Sequence, residues 1–260
     1  MEQSGIAIFL KLRNKMDRKT CIIIQPGAFG DILAVAGIAS YYSNSGYDVI
    51  WPAREKYINP ILRLPYVTPI LLDDRELDPD WLRSDVMKIL DLDVYKKASL
   101  ILNLADRGPH STYQRYNENF EQAKYRAANL PLYFKHNLIW ERKKEKELSL
   151  KSIVCPNGAY VFAHLTDSYN KKAAMPEQEL PVVEAREIEG YDIFDWYEVI
   201  LGASEIFAVE SSFFHFIDGI IPFLKTKPYV LRREVVEEGT RACLSQYWNH
   251  KFIGDTILKG

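Results

Sequence analysis

The sequence predicts an α/β fold organised around a parallel sheet, and three observations carry that expectation. Cys21-Ile-Ile-Ile24 is a wholly apolar run of the kind that forms a buried strand. It ends at Gly27-Ala-Phe-Gly30-Asp31, where two glycines free the backbone for a tight turn that another molecule can approach closely. Behind Asp31, the residues Leu33, Val35, Ala36, Ile38 and Ala39 supply an apolar face, so the turn feeds a helix. Short apolar runs and helical periodicities keep alternating through the first half of the chain, as parallel strands joined by crossovers require. In open α/β sheets ligands bind outside the carboxyl ends of the strands, which makes the glycine turn the first candidate site.

The elements follow in order. A first strand is expected over Cys21 to Gln25 and a helix from Asp31 to Ser43, broken by Gly46. Tyr47 to Trp51 reads as a second strand, Glu55 to Leu62 as a short helix and Pro69 to Leu72 as a short strand. Pro79 to Leu90 has helical spacing through Trp81, Leu82, Val86, Ile89 and Leu90, with the proline near the start where it is tolerated. Ser99 to Leu104 is another strand and Asn119 to Asn129 another helix, closed by Leu130-Pro131. Glu141-Arg-Lys-Lys-Glu-Lys-Glu147, inside Trp140 to Leu150, is a dense mixed-charge run of the type that forms a solvated helix face. The second half opens with a strand over Tyr160 to His164, then a loop with Asn170-Lys171-Lys172 and a strand over Pro181 to Ala185. A helix over Phe194 to Leu201, a strand over Ile206 to Val209, a helix over Ser212 to Ile221 and a last strand over Pro228 to Leu231 complete it, ahead of a tail with Trp248. There is no internal repeat and no low-complexity segment.

Composition narrows the class. The chain of 260 residues has room for one large domain or two small ones, and 47% apolar with 26% charged residues is ordinary for a globular protein. A formal net charge of -2 gives no electrostatic footprint for nucleic acid. The 16 tyrosines and 12 phenylalanines are explained mainly by core packing, with sugar stacking as a second use. Cys21, Cys155 and Cys243 are widely spaced, odd in number and without metal-ligand spacing, so they read as reduced, mostly buried thiols in a cytoplasmic chain. Gly5 to Leu10 is too short an apolar run for a signal or a membrane span. Because Lys11, Arg13, Lys15, Arg18 and Lys19 follow it, it reads as a packed or frayed extension, with a peripheral foot on the inner face of a membrane as the alternative.

Two segments carry a resemblance. Gly27-Ala-Phe-Gly30-Asp31-Ile32 resembles the first loop of the heptosyltransferases, two-domain GT-B glycosyltransferases that build lipopolysaccharide cores. Ala203-Ser-Glu-Ile-Phe-Ala-Val-Glu210-Ser211-Ser212-Phe-Phe-His215 is similar to the donor segment of that family, in which an Asp-Thr-Gly-Leu-x-His pattern between a strand and a helix holds the nucleotide diphosphate. His215 falls on the family histidine, whereas Glu210, Ser211 and Ser212 fall on its Asp-Thr-Gly without matching any of the three. The resemblance implies a GT-B-like α/β fold with two Rossmann-like lobes, parallel sheets and a cleft between them. The expected division is an N-terminal extension over 1–19, an acceptor lobe over 20–150 and a nucleotide-sugar donor lobe over 151–260.

What the resemblance implies about chemistry is a metal-independent, inverting glycosyltransferase that moves a sugar from a nucleotide-diphosphate donor to a glycan or lipid-linked glycan hydroxyl. The nucleotide sugar is a co-substrate, and no cofactor is implied. Asp31 would be the general base for the acceptor hydroxyl, or else simply the helix N-cap. The helix behind Glu210, Ser211 and Ser212 offers free N–H groups and the positive end of a dipole, which suits a diphosphate; alternatively a serine only caps it. His215 would donate to a phosphate oxygen or rest in the core. His164 and Thr166 end a strand at the cleft edge, and Lys171 and Lys172 are candidates for balancing phosphate charge. Glu184, with Glu187 and Glu189, is a candidate for ribose hydroxyls. The segment between the lysines and these glutamates is shorter than in the family, which normally has a further helix and strand there.

Other chemistries fit less well. A dinucleotide site needs G-x-G-x-x-G and an acidic residue at the end of the second strand, and that strand runs into Trp51-Pro-Ala-Arg54. Asp91-Leu-Asp93 resembles the cation-binding pair of the other large glycosyltransferase architecture but equally suits a helix-exit turn. Two rivals remain: a catalytically silent GT-B-like module that binds a nucleotide or glycan, and a GT-B-fold epimerase acting on a nucleotide sugar.

Overall fold

The structure, a computed structural model, describes residues 18–25, 28–72, 96–105, 118–167, 170–232 and 247–252. Gly27, the expected helix over 79–90, Asp91, Asp93, Cys243 and the N-terminal apolar and basic run to residue 17 lie outside the described residues.

The first sheet contains β1 (Lys19–Ile24), β2 (Tyr47–Arg54), β3 (Val67–Leu72) and β4 (Leu100–Asn103), in the order β3-β2-β1-β4 and all parallel. β1 is central, with Cys21 level with Val49 on one side and Leu100 on the other. Cys21 to Ile24 are fully buried, as a strand covered on both faces must be. β2 runs three residues past its expected end, through Pro52. Its ladder with β1 stops at Ile50, so Pro52 pairs only with β3 and its missing N–H is harmless.

The second sheet has β5 (Val161–His164), β6 (Val182–Glu184), β7 (Glu205–Ala208), β8 (Tyr229–Arg232) and β9 (Asn249–Phe252), in the order β6-β5-β7-β8-β9 and again all parallel. β9 has no counterpart in the sequence reading, because Asn249-His-Lys shows neither an apolar run nor alternation. The helix expected over Phe194 to Leu201 is split into a 3-10 turn, Ile193–Trp196, and a short α-helix, Tyr197–Gly202. Asp192 and Asp195 cap the turn reciprocally and so fix its start one residue early.

α1 (Phe29–Asn44) holds the two halves together. Residues Asp31 to Ser40 are all buried, which a helix lying on one sheet would not achieve. Ile32, Val35, Ile38 and Ala39 join the core of the first sheet, while Leu33 and Ala36 join the aromatic core of the second lobe with Phe162, Phe194 and Phe216. α1 therefore lies between the lobes, packed against the later helix Ser212–Gly219. Gly37 marks the tightest point: a methyl there would run into the Phe134 carbonyl oxygen and come within 2.9 Å of the Tyr125 hydroxyl. Gly37→Ala is expected to lose ~1–3 kcal/mol of stability by overpacking, despite alanine's better helix propensity, read as a lower urea midpoint. A midpoint at or above wild type would mean that the 3-10 turn at Leu132–His136 yields.

Two polar clamps also cross between the lobes. Arg63, 3% exposed, donates to Asp192 and Asp195 at 2.6–2.9 Å and to the Glu141 carbonyl. Lys135 lies between Glu121 at 2.6 Å and Asp218 at 2.5 Å, all three buried. The mixed-charge run departs from its expected role in two ways: Glu141 to Lys143 precede the helix Lys144–Val154 and are not part of it, and one of its charges is buried. Glu147, on the helix Lys144–Val154, is fully buried and takes the guanidinium of Arg142, which also reaches Glu198 at 2.6 Å. Among the described residues no helix is long and apolar enough to cross a membrane.

Candidate functional site

Each sheet has one place where its strand order reverses direction, and such switch points open a crevice at the carboxyl edge. In the first sheet it lies between β1 and β4, where the glycine turn leaves β1. In the second it lies between β5 and β7, where His164 ends β5 and Glu210-Ser211-Ser212 follow β7. Most of the residues singled out from sequence therefore sit at the two switch points.

α1 begins at Phe29 with Ala28 as its N-cap and no side-chain cap. Asp31 is thus the third helical residue, not the cap, and the capping alternative does not hold in that form. Its carboxylate lies in the first turn, where the helix dipole favours an anion, and the residue is 6% exposed. Gly30, beside it, faces the second lobe. A Cβ on Gly30 would lie 3.0 Å from His215 Cδ2 and 3.5 Å from the Ser212 backbone nitrogen. Only the missing side chain lets the glycine turn come this close to the first turn of the opposing helix.

Among the described residues the helices after α1 are α2 (Glu55–Ile61), α3 (Phe120–Ala127), α4 (Lys144–Val154), α5 (Tyr197–Gly202) and the opposing helix itself, α6 (Ser212–Gly219). Ser211 is the N-cap of α6, accepting from the Phe214 N–H at 3.5 Å and donating to the Val209 carbonyl at 3.1 Å. The same hydroxyl meets His164 Nδ1 at 2.9 Å, and the His164 ring stacks on Phe213 with 4.5 Å between centroids. Burial lowers the His164 pKa to about 4, only partly offset by the charge of Glu184, so the ring is neutral at pH 7. Ser211 and His164 thus form one neutral hydrogen-bonded unit at the second switch point, Ser212 is half-buried, and Glu210 is exposed beside them.

The lysine loop is arranged differently. Thr166 and Lys172 form an isolated antiparallel bridge, and the Lys171 N–H is held by the Asp167 side chain at 2.9 Å. The Lys172 ammonium sits 2.8 Å from Glu184, so two donor-site candidates are brought together and neutralise one another. Glu187 and Glu189 lie exposed on the loop behind β6.

The residue that sequence reasoning missed is Glu121. It is fully buried on α3, with Oε2 on Lys135 and Oε1 3.1 Å from His215 Nδ1. Burial pushes its carboxyl up, but Lys135 and His215 pull it down further, below the ordinary carboxylate range. The signal was present. Glu121, Lys124, Tyr125 and Ala128 follow the i, i+3, i+4, i+7 spacing of an inward stripe, and two charges on such a stripe demand partners. Lys124 finds them at the first switch point, in the Gln25 side chain and the Leu104 carbonyl. Among the described residues no group of three His, Cys, Asp or Glu side chains could hold a metal ion.

No protein-family model and no curated protein matches the sequence. Solved structures do resemble it. One is a glycosyl transferase family 9 protein from Veillonella parvula, with a TM-score of 0.55 and 8% sequence identity over 92% of this chain and 87% of that one. Another is TibC, an iron-containing dodecameric glycosyltransferase from enterotoxigenic E. coli, with a TM-score of 0.47 and 8% identity over 90% of this chain and 62% of that one. The fold is thus α/β with two parallel-strand sheets, of the GT-B-like architecture seen in the Veillonella protein.

Proposed function

We propose that this chain is a glycosyltransferase that moves a sugar from a nucleotide-diphosphate donor to a glycan or lipid-linked glycan hydroxyl, with inversion and without a metal ion. The observation that carries this reading is the meeting of the two switch points, where Gly30 abuts Ser212 and His215 and Asp31 is the next residue. A proton acceptor and a phosphate-binding helix terminus then flank one reaction centre. In a single displacement, the acceptor oxygen attacks the anomeric carbon and its proton passes to the Asp31 carboxylate. The bond from that carbon to the diphosphate oxygen breaks, and its electron pair leaves with the diphosphate. Charge grows on the leaving group, so the N–H groups of α6, the Ser212 hydroxyl and His215 stabilise the transition state more than the bound donor. The fold likeness to a family 9 glycosyl transferase supports this reading.

The test is a transfer assay with a panel of nucleotide sugars in excess EDTA, run beside calorimetric titration of nucleoside diphosphates and their parent nucleosides. Ser212→Asp is expected to weaken diphosphate binding by about tenfold or more, because like charges ~4 Å apart repel by ~4 kcal/mol at an effective dielectric constant of ~20. Parent nucleoside binding should be unaffected. Stability should hardly change, since the dipole tolerates a carboxylate at that position. Unchanged diphosphate affinity in this variant would remove α6 as the donor site.

One observation favours a second reading, a silent GT-B-like module that binds a nucleotide or glycan without turnover. The Lys172 ammonium is already held by Glu184, and the Ser211 hydroxyl is engaged by His164 and Val209. A module of this kind would bind diphosphates yet show neither transfer nor slow donor hydrolysis.

A further inference from the structure

His215 stands on the first turn of α6 in the second lobe, but the carboxylate beside its ring comes from the first. Glu121 divides its carboxylate between two groups, Oε2 on the Lys135 ammonium at 2.6 Å and Oε1 on His215 Nδ1 at 3.1 Å. Glu121 is fully buried and the His215 side chain 6% exposed, so this contact is made away from water. The Phe120 ring, on the same helix as Glu121, meets the imidazole edge-on at 5.9 Å, and Gly30 leaves just enough room on the Cδ2 side. The ring is thereby held from three directions.

An ionised carboxylate and a diphosphate oxygen can both only accept, so a ring that serves both carries a hydrogen on each nitrogen. Among the described residues no hydrogen bond reaches the other ring nitrogen, Nε2. Nε2 adjoins Cδ2, the atom that faces Gly30, and so lies on the side of the ring turned to the junction between the glycine turn and the start of α6. Lys135 does not need Glu121 for neutrality alone, since Asp218 also holds it at 2.5 Å.

We propose that Glu121 is a positioning residue of the donor site: its carboxylate beside Nδ1 orients the His215 ring and leaves the Nε2–H to donate to the diphosphate, so that donor binding in the second lobe depends on a carboxylate of the first. This rests on the donor-site reading given above. It means that the two lobes are coupled through a single imidazole and that displacing α3 weakens the grip on the leaving group.

Nitrogen-15 NMR of the histidine rings in the wild-type protein reads the proton position directly. With pyrophosphate bound, both ring nitrogens of His215 are expected to carry a proton, and a bound ring lacking the proton on either nitrogen would overturn the proposal without any variant. Titration with inorganic pyrophosphate, which needs no knowledge of the base or sugar, supplies the second arm. Glu121→Gln should weaken pyrophosphate binding by about tenfold, the loss of roughly one charge-assisted hydrogen bond, and should add nothing on top of His215→Gln. If His215→Gln weakens binding while Glu121→Gln does not, the positioning role falls and the donor site stands. If neither variant changes the affinity, the donor-site reading falls and takes the proposal with it. Should Glu121→Gln fail to fold, the wild-type proton position decides.

Discussion

Asp31→Asn is expected to leave a folded protein that binds nucleoside diphosphate normally and transfers sugar about 10²- to 10⁴-fold more slowly, the usual contribution of a positioned general base. Asparagine has nearly the same shape but cannot take up the acceptor proton. The structural cost should be small. Asp31 is the third residue of α1 and not its cap, so the change removes a dipole interaction worth ~0.3–1 kcal/mol and leaves the helix start at Ala28 in place. Initial rates under saturating donor, set beside a thermal melt, separate the two contributions. A rate near that of wild type would remove Asp31 from the mechanism, and an unfolded variant would make it structural.

Lys135→Met should have the largest effect on stability, a loss of ~3–5 kcal/mol near neutral pH, because it leaves Glu121 and Asp218 buried without their shared ammonium. Its pH dependence has a definite sign. Burial lowers the Lys135 pKa, but Glu121 and Asp218 raise it above the ordinary lysine range. Its stabilisation is therefore complete below the unfolded value of 10.5 and is lost as pH rises through the folded one. Glu121 is depressed, so its stabilisation is present above the unfolded value of 4.5 and is lost as pH falls through the folded one. Wild-type protein should thus lose stability on acidification below about pH 4.5. In Lys135→Met the buried Glu121 carboxyl loses its ammonium partner and gains from protonation, so stability should rise as pH drops from 7 to about 5. Urea midpoints at both pH values measure this slope, and a variant as stable as wild type at pH 7 would show that the cluster contributes nothing.

Much of the fold was legible because local pattern and tertiary role agreed. Cys21 to Ile24 reads as a buried strand and is one, since a central parallel strand covered on both faces has no polar side to show. Asn119 and Gln122 mark the start of α3, and they form the reciprocal cap that such a spacing allows. The glycine turn and Glu210-Ser211-Ser212 were visible as carboxyl-edge turns for the same reason: glycine and small hydroxyl residues between an apolar run and a helical face are local signals. β9 was not legible, because a strand at the end of a sheet takes its stability from the neighbour it pairs with, and Asn249-His-Lys has little pattern of its own.

The sequence by itself determined the strand–turn–helix order, the two carboxyl-edge turns and the residues that stand on them, because those depend on contacts within a few positions of the chain. Only the tertiary structure decided what these side chains face. Ten consecutive buried residues in α1 follow from a second lobe on its far side, which no helical periodicity announces. His215 meets Glu121 across 94 positions of sequence, Lys172 meets Glu184, and Ser211 meets His164. A buried charge must find a partner, but the chain does not say which one, since that choice is made by the packing that brings distant groups within hydrogen-bond reach.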